Sequence, residues 1–168
     1  MIRLIGAVLL LTGCSGFGLV LATAHRREIR LLRKLLHGIQ EMSWELKYRM
    51  TALPDLCLIG AEASCSPVSD VFKELADRLS RNEVTDISGA MNQLVACHEL
   101  PGRVRRNMRQ LGTSLGRFDL EGQLQGLDAA KQQCRKDLIE LQENAPQRIR
   151  NYQTLALCAG AALAILFF

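Results

Sequence analysis

What this chain lacks narrows its chemistry. None of its six cysteines (Cys14, Cys57, Cys65, Cys97, Cys134 and Cys158) stands in a C-x-x-C pair, so neither a redox dithiol nor a zinc knuckle is signalled. Aromatic residues are only 5% of the chain, too few for base-stacking platforms, and no nucleic-acid recognition motif is present. No glycine-rich phosphate loop occurs, because Gly112 and Gly116 are isolated within a helical pattern and no G-K-[ST] follows them. A serine nucleophile elbow and paired catalytic carboxylates are also missing. His98 sits between Cys97 and Glu99, but neighbouring residues on a helix point in different directions. His25 and His37 are far away in sequence. His98 is therefore expected as a half-buried helical histidine rather than a metal ligand. The expectation is no enzyme, no cofactor, no metal, no small-molecule substrate and no nucleic-acid partner. No window alternates apolar and polar with period two, which excludes an evident sheet.

What the chain does have is two runs without charge. From Leu4 to Ala24 there are 21 uncharged residues, and roughly 20 such residues in a helix cross a bilayer's hydrocarbon core. A second uncharged run, from Leu155 to Phe168, is at the short end of the spanning range. Arg26, Arg27, Arg30, Arg33 and Lys34 flank the first run, and Arg148 and Arg150 the second. Lys and Arg are enriched on the cytoplasmic side of membrane helices. The expected layout is a transmembrane helix over 1–24, a cytoplasmic helical domain over 25–150 and a C-terminal transmembrane helix over 151–168. Cys57, Cys65, Cys97 and Cys134 fit buried positions of a domain in a reducing compartment. A rival layout comes from Leu11-Thr12-Gly13-Cys14, which looks like a lipobox with Cys14 as the lipidated residue. It makes the chain a lipid-anchored extracytoplasmic helical protein, although the sequence after Cys14 stays apolar where a polar tether would be expected.

Between the apolar ends the periodicity is helical throughout. Leu32, Leu36, Ile39, Ser43, Leu46 and Met50 step by four and three, and Leu35 and Met42 widen the stripe, one face of an amphipathic helix from Glu28 to about Arg49. Pro54 suits the first turn of a short helix over Asp55 to Ala63. A loop around Pro67 follows, with Ser69 or Asp70 able to cap a third helix carrying Val71, Phe72, Leu75, Ala76 and Leu79. Asp86 to Glu99 reads as a fourth. A fifth has Val104, Met108, Leu111 and Leu115 opposite Arg103, Arg105, Arg106 and Arg109. The sixth keeps a heptad rhythm through Leu120, Leu124, Leu127, Lys131, Cys134, Leu138 and Leu141, and is expected to stop near Pro146. The fold class is all-α, a bundle of about six helices flanked by the two membrane helices.

The densest signal lies between Gln110 and Gln123. Gly112 and Gly116 cost helix propensity, and small residues four apart permit close approach of two helices. Asp119 can cap the sixth helix. This segment, with Arg103, Arg105, Arg106 and Arg109, is the candidate protein-contact surface; a tight crossing inside one domain and a solvated basic face are the plainer readings of the same residues.

These features, in this order, resemble the stage III sporulation protein AB family of endospore-forming bacteria. The likeness rests on the opening anchor with Leu4-Ile5-Gly6-Ala7, and the Arg/Leu-rich first helix running to Glu45-Leu46-Lys47-Tyr48. It continues through Thr51-Ala52-Leu53-Pro54-Asp55-Leu56, then Leu111-Gly112-Thr113-Ser114-Leu115-Gly116 with Asp119 and Gln123, then the closing apolar run. The resemblance implies a non-enzymatic component of a channel complex between mother cell and forespore, in the mother-cell membrane surrounding the forespore. It implies a platform like that of type II secretion machines, with other stage III sporulation proteins as partners, above all the AA ATPase. It supplies no catalytic residues.

Overall fold

The computed structural model describes the backbone of residues 2–115 and 119–167, and side chains over 23–115 and 119–143. Among the described residues there is no strand, and the helices are α1 (Ile2–Arg49), α2 (Leu53–Ala63), α3 (Val68–Ser80), α4 (Ile87–Cys97), α5 (Gly102–Leu115) and α6 (Leu120–Phe167). The chain forms two compact units, one of Glu28–Ile139, the other of Met1–Arg27 with Glu140–Phe168.

The first unit closes over one apolar core. Leu32, Leu35, Ile39 and Met42 of α1, Leu56 of α2, Phe72 and Leu75 of α3, Met91 and Leu94 of α4, and Met108, Leu111 and Leu115 of α5 are all fully buried. The four-three spacing of α5 is thus its core face. On α1 Leu32, Ile39 and Leu46 are buried with Leu35 and Met42 beside them, as the widened stripe implies, and Leu31 joins them. The stripe differs at its end, where Met50 is 73% exposed. The reason is local: Met50 has φ 51°, a left-handed residue that ends the helix and turns its side chain outward. α1 and α2 then pack closely at two glycines, since a Cβ on Gly38 would lie 3.1 Å from the Gly60 carbonyl oxygen.

Helix starts follow cap chemistry with two differences. α2 begins at Leu53, with Pro54 in the first turn, where its missing N–H costs no internal bond. α3 begins at Val68, ahead of the expected caps; the Asp70 carboxylate instead accepts from Ser66 Oγ at 2.6 Å. Asp86 caps α4, accepting from Ser88 N and Gly89 N at 3.0 Å each. His98 follows as the C-cap, half-buried, its Nδ1 2.9 Å from the Leu94 carbonyl oxygen.

α6 does not stop near Pro146 but continues to Phe167. A proline inside a helix removes one N–H donor and crowds the preceding turn. The sequence on both sides remains helix-forming, so the helix carries that local cost. Leu127, Cys134, Leu138 and Leu141 are buried as their rhythm implies, whereas Leu120 is 38% exposed.

In the second unit, His25 Nε2 lies 3.2 Å from the Leu141 carbonyl oxygen. Among the described residues no helix is long and apolar enough to cross a membrane. The spans expected over 1–24 and 151–168 fall, apart from Thr23 and Ala24, on side chains outside the described residues, as does Cys14.

Candidate protein-contact surface on α5

The α5 arginines are not one uniform face, and a buried carboxylate explains why. Asp137 projects from α6 and is only 3% exposed. A buried carboxylate needs donors and countercharge, because its desolvation would otherwise exceed what packing returns. Asn107 Nδ2 donates to Asp137 Oδ2 at 2.7 Å, and Gln133 Nε2 to Oδ1 at 3.1 Å. Arg103 Nη1 stands 3.9 Å from Oδ1, and Arg106 Nη2 stands 3.6 Å from Oδ2. Asn107 also donates to the Arg103 carbonyl oxygen at 2.8 Å, which holds its amide against its own helix.

The remaining expected site residues divide between inside and outside. Arg105 is half-buried, with Nη2 donating to the Leu100 carbonyl oxygen at 3.3 Å, and ties α5 to the loop before it. Arg109 is exposed. Arg106 spans both roles, one end at Asp137 and 62% of its side chain exposed. Gly112 is buried beneath α4, where a Cβ would lie 2.7 Å from the Met91 Cβ; it makes the tight crossing inside the domain. Gly116 lies outside the described residues. Asp119 is exposed and caps α6, accepting from Gly122 N at 2.8 Å.

Two features escaped the sequence reading. Ser114 of α5 meets Gly126 of α6, where a Cβ would lie 2.5 Å from the Ser114 Cβ. The signal was available in Gly122 and Gly126, a second pair of glycines four apart. Asp137 was visible only as a charge at a core-facing step of α6, three residues after Cys134. The cysteines also differ from expectation: Cys57 and Cys134 are buried, Cys65 is intermediate and Cys97 is exposed. Burial pushes the Cys57 and Cys134 thiols up to about 12, so neither is a nucleophile near neutral pH. Among the described residues no cluster of His, Cys, Asp or Glu could hold a metal ion.

What this arrangement can do is present charge at a fixed position. Asp137 fixes the inner end of Arg106, and Arg109 adds a second exposed guanidinium one turn further along α5. Planar guanidinium groups suit bidentate contact with carboxylates.

A family model described as stage III sporulation protein AB matches residues 3–168 of this chain. A solved structure titled stage III sporulation protein AB shares the fold, with TM-score 0.60 and 20% identity over 71% of this chain and 96% of that one. No curated protein matches the chain.

Proposed function

The chain belongs to the stage III sporulation protein AB family, and on that premise we propose that it is a membrane-anchored platform scaffolding a secretion-type ATPase by protein contact. Family membership makes it a sporulation protein; the anchor, the cytoplasmic placement and the ATPase are the proposal. In this reading 1–24 and 151–168 are membrane helices, 25–150 is the cytoplasmic domain, and the channel joins mother cell and forespore. The anchor is supported by the 21 uncharged residues and the basic flank that follows them. The contact role is carried by one observation: Arg106, held at its inner end by Asp137, and Arg109 are both exposed on one helix.

The test is co-purification of full-length chain with the stage III sporulation protein AA ATPase. Arg109→Glu with Arg106→Gln, which sets no second carboxylate beside Asp137, should abolish recovery while leaving the helical circular dichroism unchanged; undiminished recovery would reject this surface. Topology is checked separately with an impermeant maleimide. Cys97 should label only after lysis, while Cys57 and Cys134 should require denaturant as well. Labelling of Cys97 in intact cells would place the domain outside and favour the lipid-anchored reading through Cys14.

A further inference from the structure

Away from α5, the last two turns of α1 leave a large apolar surface uncovered. Trp44 is 53% exposed, Tyr48 63% and Met50 73%. The Trp44 and Tyr48 rings lie 5.1 Å apart between centroids, tilted 46° to each other. Two cations bracket the pair, Lys47 at 5.5 Å from the Tyr48 ring and Arg49 at 5.9 Å from that of Trp44. Exposed aromatics flanked by arginine are the residue types that dominate the energetics of protein interfaces.

The same chain carries a complementary stripe on α2. Asp55, Leu58 and Glu62 are all exposed, and they recur at intervals of three and four, so they share one helix face roughly 10 Å long. Leu58, 44% exposed, sits between two carboxylates that have no hydrogen bond or ion pair among the described residues. Local helix chemistry accounts for part of this: Asp55 stands in the first turn of α2, and Lys47 and Arg49 in the last turn of α1, each favoured by the helix dipole. It does not account for Trp44, Tyr48 and Leu58, which gain nothing from exposure to water.

We propose that these two surfaces meet between copies of this chain, Leu58 of one copy seating on the Trp44–Tyr48 pair of the next with Asp55 and Glu62 facing Lys47 and Arg49. Made once in each direction the contact closes a two-fold pair; made in one direction it repeats along a ring or a row. It is independent of the α5 surface and of the ATPase. Few residues contribute, so the contact is weak in dilute solution and is best trapped where the protein is concentrated.

The experiment places a photo-crosslinking amino acid at position 44, and in a second variant at position 48, of the full-length chain. That chain is co-expressed in sporulating cells with a differently tagged copy, and adducts are mapped by mass spectrometry. The expected adduct joins α1 of one copy to the α2 peptide of the other. Asp55→Lys with Glu62→Lys in the acceptor copy should lower its yield about tenfold, the scale of losing a central interface pair. Lys47→Glu with Arg49→Glu in the copy bearing the probe should restore it. An adduct at α1 of the second copy, to another protein or to lipid, no adduct between copies from either position, or a yield indifferent to charge reversal would each overturn the proposal.

Discussion

α1 and α5 both carry clustered cations, but the cluster at Arg30, Arg33 and Lys34 of α1 faces solvent, whereas most of the cluster on α5 is engaged by the fold. On α5, Arg103 and Arg106 face Asp137 and Arg105 binds the Leu100 carbonyl. On α1, Arg30, Arg33 and Lys34 are exposed, and none has a carboxylate within 4 Å among the described residues. The difference comes from the facing helix: α6 presents a buried carboxylate to α5. A row of arginines in a sequence is thus a surface only where no such acceptor lies opposite. The α5 charges therefore contribute to stability as well as to recognition, and their substitution should separate the two.

The largest effect should come from removing the acceptor. Asp137→Ala leaves Asn107 Nδ2 without its buried carboxylate partner and takes away a carboxylate that faces both Arg103 and Arg106. Breaking such a pair from one side costs about 3 kcal/mol or more. Urea unfolding of the solubilised full chain, followed by circular dichroism, measures it. Asp137→Asn, which keeps an acceptor oxygen, should lose less. Equal stability of Asp137→Ala and wild type would mean that the α5 charges are as uncommitted as those of α1.

Next in size is the close approach of α5 and α6. Gly126→Ala puts a Cβ 2.5 Å from the Ser114 Cβ and 3.2 Å from its Cα. Overpacking of that kind costs about 1–3 kcal/mol. Adding Ser114→Gly should recover part of the loss, since residues in contact couple. If the two substitutions are simply additive, the helices are not held at this point. Smaller again, Arg105→Glu should cost about 1–2 kcal/mol by unmaking a half-buried bond. Arg109→Glu on the open side should stay within about 0.5 kcal/mol. Reversal of that order would move the structural role from Arg105 to Arg109.

What could be read from the sequence, and what could not, divides along the same line. Val104, Met108, Leu111 and Leu115 are buried as their spacing states, because a single helix face follows from period alone. Asp119 caps the helix it precedes, because a cap involves only its own few residues. Asp137 was not legible, since a charge at a core step acquires meaning only from Asn107, 30 residues away. For the same reason Arg105 and Arg109 look alike in sequence, and Gly112 suggested a docking face until Met91 was found above it. The end of the α1 stripe was misplaced by one left-handed residue, Met50, which no periodicity announces. The membrane helices rest on composition alone.

The smallest expected effect isolates an exposed pair, the opposite limit from Asp137. Lys131 Nζ contacts Asp128 Oδ1 at i,i+3 on α6, with the Asp128 side chain 48% exposed. The hydrogen bond from Lys131 first, and then its charge and the amide of Gln132, hold the Asp128 carboxyl below its ordinary value near 3.8. A carboxyl with a lowered folded-state pKa stabilises the fold fully above the unfolded value, and that stability is lost as pH falls through the folded one. Exposure and salt screening keep the contribution to about 0.2–0.5 kcal/mol. Wild type should therefore exceed Asp128→Asn by that margin at pH 7. The two urea midpoints should converge as pH is lowered below 3.8, and converge at pH 7 as well in 1 M salt, where charges interact over only about 3 Å. A gap that survived acid would show that Asp128 acts through its shape and hydrogen bonds and not through its charge.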